Sequence, residues 1–210
     1  MPLRSLASLL APPFCAACTG AAGRSEPLCG ECRRALRWLT AGAEVAGVEV
    51  WAPVAYEGPA QALVRALKFR GAWTAAEAMA AQMVAGAPRG VLDGGRLVPV
   101  PLHPRRMRRR GFNQADRLAA AIARRTGLPA CDCLERSGPS ITQVGRDRAA
   151  RLEGVAGTVS VRDGADAPRR AVLVDDVATT GATLGACAAA LRAAGAGEVS
   201  AVVYARTPGR

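Results

Sequence analysis

The sequence predicts an α/β fold, a parallel sheet flanked by helices, with a small cysteine-bearing segment at its N-terminus. Three observations carry this. The runs Val48–Val54, Arg96–Val100, Ala171–Val174 and Val199–Tyr204 are dense in aliphatic residues and lack the strict alternation of half-exposed strands, as strands covered on both faces do. Helical patterns stand between them: Pro59–Phe69 with Leu63, Val64 and Leu67 on one face, then Ala72–Ala85, Arg117–Arg125 and Leu184–Ala194. Two C-x2-C pairs precede the first strand. Strands and helices alternating at this spacing make a parallel sheet.

A chain of 210 residues is long enough for one full core and a small appendage. The division falls at residues 45 and 46. Residues 1–45 hold the cysteine pairs and a short helical piece, Glu31–Leu39; residues 46–210 hold the sheet. Met1–Phe14 contains an apolar patch that Pro12 and Pro13 interrupt before a signal-peptide core develops. No run of 18 or more apolar residues exists to span a membrane. The expected location is therefore cytoplasmic, where disulfides are disfavoured and paired C-x2-C knuckles suit a metal. Cys15, Cys18, Cys29 and Cys32 match the four thiolates of a tetrahedral zinc site, structural because all four positions are cysteine. Cys131, Cys133 and Cys187 lack knuckle spacing and are assigned no chemistry.

The net charge of +11 favours anionic partners. Nearly all of it is arginine, and three Trp, two Tyr and three Phe leave few platforms on which single-stranded bases could stack. The charge is therefore no argument for nucleic acid by itself.

The most informative local stretch is Val172 to Thr183: a buried strand, the acidic pair Asp175 and Asp176, then Val177-Ala178-Thr179-Thr180-Gly181-Ala182-Thr183, with a helix opening near Leu184. In open α/β sheets ligands sit at the carboxyl ends of strands, where the next helix offers unpaired N–H groups to an anion. The threonine hydroxyls add donors, and Gly181 lets the backbone approach closely. The turn is built for a phosphate. Two carboxylates beside it repel a bare phosphate, but a ribose resolves the conflict by donating its hydroxyls to the acids while its 5′-phosphate sits on the turn. A divalent cation is the other mediator. A Walker B element is excluded because Lys68, the only lysine, lies in no P-loop. Gly195-Ala196-Gly197 precedes a strand instead of following one, the wrong order for a dinucleotide fingerprint.

A second signal runs from Pro99 to Gln114. A strand ends in prolines, Arg105, Arg106, Arg108, Arg109 and Arg110 follow, and Gly111-Phe112-Asn113-Gln114 leads into a helix. Guanidinium forks at a sheet's carboxyl edge suit pyrophosphate or nucleic-acid phosphates. Arg109 and Arg110, beside the Gly111 turn, are expected nearer a small ligand, with the earlier three turned to nucleic acid. His103, the sole histidine, has no carboxylate near it in sequence to make it an acid/base.

The strand, acid pair and T-T-G-x-T loop resemble the phosphoribosyl-pyrophosphate (PRPP) motif of type I phosphoribosyltransferases. With the two C-x2-C knuckles, Tyr56, Lys68-Phe69-x-Gly71, the P-V-P-L run from Pro99, Arg110 to Gln114, and Thr142 to Gly145 followed by Arg148 and Arg151, the chain resembles the ComF family, phosphoribosyltransferase-like proteins associated with competence for DNA uptake. The resemblance implies a type I phosphoribosyltransferase-like domain behind a zinc ribbon. It implies that Asp175 and Asp176 are the catalytic acids and, with Ala178, Thr179, Thr180, Gly181, Ala182 and Thr183, bind PRPP with Mg²⁺. By the same resemblance Pro101, Leu102 and His103, with Arg109 and Arg110, form the pyrophosphate side, and a loop over Ser137–Arg151 containing Gln143, Arg148 and Arg151 closes over the ligand. A long strandless stretch of this kind is commonly a lid. Two functions fit: transfer of the phosphoribosyl group to an acceptor with release of pyrophosphate, or a non-catalytic PRPP- or nucleotide-responsive accessory protein that binds single-stranded DNA or DNA-uptake proteins.

Overall fold

The computed structural model describes residues 14–23, 26–70, 73–137 and 157–208. Its element order is α1 (Gly30–Arg34), β1 (Ala43–Val45), β2 (Val48–Trp51), β3 (Val54–Ala55), α2 (Gly58–Arg70), α3 (Trp73–Gly86), β4 (Arg96–Pro99), α4 (Pro104–Arg110), α5 (Gln114–Thr126), β5 (Leu134–Arg136), β6 (Val159–Val161), β7 (Arg170–Ala178), α6 (Ala182–Ala193) and β8 (Glu198–Arg206). The main sheet runs β1-β2-β8-β7-β4, with β3 also on β8. All its pairings are parallel except the β1–β2 hairpin. This is the expected α/β fold. A separate antiparallel pair, β5 and β6, stands beside it.

Each face of the sheet buries its own core. Val172, Val174, Val202 and Tyr204 face Leu63, Leu67, Met79, Met83, Leu118 and Ile122 of α2, α3 and α5. Leu173, Ala201 and Val203 face Leu184, Cys187 and Leu191 of α6. Burial on both sides is why these strands carry no polar alternation. Cys15, Leu28 and Leu36 join the first of these cores, so the N-terminal segment packs on the domain. Among the described residues no helix is long and apolar enough to cross a membrane.

Three elements differ from the sequence expectation, and one stretch given no assignment there, the arginine run, proves regular. The helix expected over Glu31–Leu39 stops at Arg34, because residues 37–39 leave it to run beside β3: Leu39 donates to the Pro53 carbonyl at 2.8 Å and Ala55 to that of Arg37 at 2.9 Å. The strand expected over Val48–Val54 divides into β2 and β3 around Pro53, which has no N–H for a ladder. The arginine run is a helix, α4, with Pro104 in its first turn and His103 as its N-cap. Strand β7 continues through Ala178, so the two acids lie within it.

Candidate functional site

The carboxyl ends of β4 and β7 open into a cleft of about 900 Å³ lined by Tyr56, Lys68, Phe69, Val100, Pro101, Leu102, Arg105, Arg106, Arg109, Arg110, Gln114, Arg136, Asp175, Asp176, Val177, Thr179 and Thr183. Cations from α2, α4 and β5 thus converge on the two acids of β7. The balance is strongly positive.

Adjacent residues of a strand point to opposite faces, and the acidic pair is divided accordingly. Asp176, only 2% exposed, turns to the α2/α5 side, where Lys68 Nζ is 2.7 Å from Oδ2 and Gln114 Nε2 donates to Oδ1 at 3.4 Å. Arg110 in turn donates to Gln114 Oε1, which fixes the amide's orientation. Asp175 has neither helix partner and accepts at Oδ1 from the Asp176 N–H at 2.8 Å. Burial, and then the charge of Asp176, push its carboxyl well above the usual aspartate range, with Lys68 pulling the other way.

The segment Arg110 to Gln114 is a hinge between two helices in which every residue has a task. Gly111 ends α4 in the left-handed region at φ 77°, and Phe112 stacks under Arg117, 3.6 Å from the ring centroid. Asn113 caps α5 by accepting from Ala115 N–H at 3.1 Å while its Nδ2 donates to the Val100 carbonyl at 3.0 Å. This ties the segment after β4 to the start of α5.

Helix α4 sorts the arginine cluster by helical period. Arg105, Arg106, Arg109 and Arg110 line the cleft, and Arg108 does not. Arg105 and Arg106, two of the three arginines expected to turn to nucleic acid, thus share the cleft with Arg109 and Arg110. Pro101 and Leu102 line the cleft, whereas His103 is buried and accepts at Nδ1 from Arg105 N–H at 3.1 Å as the helix cap.

In the threonine loop, Thr179 and Thr183 face the cleft. Thr180 Oγ1 accepts from Ala182 N–H at 3.4 Å, and Ala178 and Ala182 are buried. Gly181 opens α6 at φ 75° with no side-chain cap, unlike α4 and α5. A Cβ at Gly181 would stand 2.3 Å from Val45 Cγ1, so its missing side chain serves the β1–β2 hairpin as much as any ligand. Gln143, Arg148 and Arg151 lie outside the described residues.

Sequence reasoning missed Lys68, Gln114 and Arg136 as cleft residues. The first two stand in motifs quoted for the family resemblance, which was a signal. Arg136 had none: it is half-buried, its Nε has no hydrogen-bond partner among the described residues, and burial, then the charge of Arg106, lower its pKa.

Away from the cleft, the Sγ atoms of Cys15, Cys18, Cys29 and Cys32 all lie within 4.8 Å of one another. Cys18 and Cys29 are 3.7 Å apart, and Cys32 N–H donates to Cys29 Sγ at 3.5 Å. Burial raises the Cys15 thiol, but N–H groups of Cys18, Cys29 and Ala17 outweigh it and bring the pKa down to about 6. Cys32 moves up, through burial and the neighbouring sulfurs. The cluster is a four-thiol arrangement able to hold a metal ion.

No family model matches the chain. Over 107 residues it is 37% identical to competence protein F of Haemophilus influenzae, a match covering 49% of this chain and 46% of that protein. Over 102 residues it is 34% identical to competence protein ComFC of Streptococcus pneumoniae, covering 49% and 44%. The matches thus span less than half the length of these relatives. Among solved structures, glutamine PRPP amidotransferase from B. subtilis, complexed with ADP and GMP, overlaps 61% of this chain and 26% of its own at 25% identity and a TM-score of 0.40. An allosteric regulatory enzyme of purine biosynthesis overlaps 61% and 25%, also at 25% identity, with a TM-score of 0.38. Over about half its length the chain is thus similar in sequence to competence proteins F and ComFC, and it carries the four-cysteine cluster and the strand, acid pair and threonine loop described above.

Proposed function

We propose that the cleft binds PRPP, or a related phosphorylated ribose, and transfers the phosphoribosyl group to an acceptor with release of pyrophosphate. The observation that carries this is one cleft joining Asp175 and Asp176, Thr179 and Thr183, and the cations Lys68, Arg105, Arg106, Arg109, Arg110 and Arg136. An uncapped helix N-terminus with two hydroxyls beside it suits a 5′-phosphate. The acids suit ribose hydroxyls. The arginines suit the pyrophosphate, whose bond to C1 breaks, its electron pair leaving with it, as the acceptor's bond to C1 forms. Asp175 and Asp176 act here by orienting the sugar. Mg²⁺ belongs to the ligand in this reading: among the described residues the two acids are the cleft's only carboxylates and one is paired with Lys68, so the ion would be carried chiefly on pyrophosphate oxygens, neutralising them.

The N-terminal cluster is proposed to hold structural zinc as a ribbon within residues 1–45, set on the ligand-binding domain of residues 46–210. The expected boundary is corrected in that the last three residues of the first part, β1 (Ala43–Val45), join the main sheet through the hairpin with β2. A tetrahedron with Zn–S bonds of about 2.3 Å has S–S edges of about 3.8 Å, and the Cys18–Cys29 separation of 3.7 Å fits it.

Calorimetric titration with PRPP and Mg²⁺, followed by an assay of pyrophosphate release over a panel of nucleobases and amines, tests the proposal. Failure of the intact protein to bind PRPP rejects it. Binding without release on any acceptor turns the reading to a non-catalytic accessory protein, working in the cytoplasm on DNA or DNA-uptake proteins.

One observation favours that second reading. Phe69, 69% exposed, lines the cleft and Trp73, 58% exposed, opens the next helix, with Arg110 5.8 Å from the Phe69 ring centroid and Arg117 4.5 Å from that of Trp73. Few aromatics exist in the chain, yet these gather among arginines, as single-stranded nucleic acid requires. Loss of single-stranded DNA binding in Trp73→Ala, with PRPP affinity kept, supports it; unchanged DNA binding rejects it.

A further inference from the structure

We propose that Lys68 makes the cleft selective for ribose over 2-deoxyribose by holding the Asp176 carboxylate through one oxygen and leaving the other for a sugar hydroxyl. The inference rests on the reading of the cleft as a ribose-phosphate site and assigns that selectivity to one positioning residue.

Lys68 is the only lysine among 28 basic side chains. It stands in the last turn of α2, a quarter exposed, with Nζ 2.7 Å from Asp176 Oδ2. An ammonium is a point charge and settles on one carboxylate oxygen, whereas a guanidinium fork takes both. In a chain that otherwise uses arginine for every basic side chain, lysine stands where a fork would cover the carboxylate.

The other oxygen of Asp176 is lightly used. Gln114 Nε2 reaches Oδ1 at 3.4 Å, near the outer limit of a hydrogen bond, while a carboxylate offers about four lone-pair sites. Gln114 cannot turn its carbonyl to Asp176 without losing Arg110. The carboxylate is therefore gripped from α2 and α5, it lines the cleft, and Oδ1 keeps capacity for a hydroxyl donor. Asp175 has no such grip. Without Lys68, Asp176 would be a buried charge with its main partner gone, and would turn away from the position that presents Oδ1. The phosphate contacts proposed for Thr179, Thr183, Arg105, Arg106 and Arg109 do not run through it.

Selectivity separates this role from a general one. A lysine that only attracted anions would, on removal, weaken every sugar phosphate alike. Titrations of ribose 5-phosphate and 2-deoxyribose 5-phosphate against the full chain, K68M and K68R decide it, with far-UV circular dichroism and thermal melts establishing folding. The parent is expected to prefer ribose by roughly tenfold to a hundredfold, the range of one charge-assisted hydrogen bond. In K68M the preference should fall to within about threefold through loss of ribose affinity. K68R keeps the charge and should lose the preference too, and it carries the test alone if K68M does not fold.

No binding of PRPP or ribose 5-phosphate by the parent overturns the ribose-phosphate reading and this inference with it. Parent binding with equal affinity for the two sugars overturns the inference alone. So does a preference retained in K68M, an equal loss for both sugars, or full preference in K68R.

Discussion

Gln114 donates from Nε2 to Oδ1 of Asp176 over 3.4 Å, joining residues 62 positions apart in the chain. Through it the Arg110 guanidinium, itself bonded to Gln114 Oε1, is connected to the acid without touching it. The bond ties the start of α5 to the acidic end of β7, and so links the arginine helix to the proposed sugar site.

Replacing Gln114 by methionine keeps the volume and removes both bonds. PRPP affinity should fall by about 0.5–1.5 kcal/mol, the usual worth of a hydrogen bond. Gln114→Glu should cost more, because it sets a second charge against Asp176. Titration of both variants checks the order; a glutamate that binds as well as the parent would show that the bond is idle.

Asp175 carries a testable pH dependence. Its folded pKa is raised by burial and by Asp176, so its contribution to stability is full below the unfolded value and is lost as pH rises through the folded one. Asp175→Asn should therefore be more stable than the parent at pH 8, the difference closing as pH falls below about 4, while PRPP binding drops. Denaturant titrations from pH 4 to 8 measure this. A variant less stable than the parent at pH 8 contradicts it.

The metal prediction is compositional. The purified chain should carry about one zinc ion, lost in Cys15→Ala/Cys29→Ala and retained when Cys131, Cys133 or Cys187 is replaced. Chelation or acid should loosen the N-terminal segment first, since protons compete for the thiolates. Elemental analysis beside limited proteolysis reads both, and full zinc retention in the double variant rejects the assignment.

Gly181 and Gly157 share a left-handed backbone, at φ 75° and 76°, but only Gly181 has a neighbour where a Cβ would go, Val45 Cγ1 at 2.3 Å. Alanine at 157 should cost about 1–2 kcal/mol for conformation alone. Alanine at 181 should cost more, by about 1–3 kcal/mol of steric displacement, because Val45 lies next to the Ala46-Gly47 turn of a two-residue hairpin with positive φ at both turn positions. Equal unfolding free energies for the two variants would mean that the hairpin gives way freely.

The arginines of α4 differ by face. Arg106→Ala and Arg109→Ala should each weaken PRPP binding by about 1.5–3 kcal/mol if they meet the pyrophosphate, and Arg108→Ala should leave it unchanged, since Arg108 does not line the cleft. If Arg108 serves DNA instead, its loss flattens the salt dependence of single-stranded DNA binding. Equal effects of the three substitutions on PRPP binding would overturn the facial division.

What the sequence determined by itself is what depends on neighbours along the chain. An aliphatic strand, two acids, a threonine loop and an Ala/Leu helix are consecutive, so their chemistry was legible in the order of residues, as were the four cysteines from their spacing. The capping of α4 by His103 was nearly so, with Pro104 in the helix's first turn. Only the tertiary structure decided which partner each acid receives. Asp175 and Asp176 read as equivalent in sequence, yet the strand's period of two sends them to opposite faces, and only the α2/α5 face supplies Lys68 and Gln114. Arg136 reaches the same cleft from β5. These meetings depend on how helices pack across a sheet, a long-range outcome of burial that no local pattern of residues records.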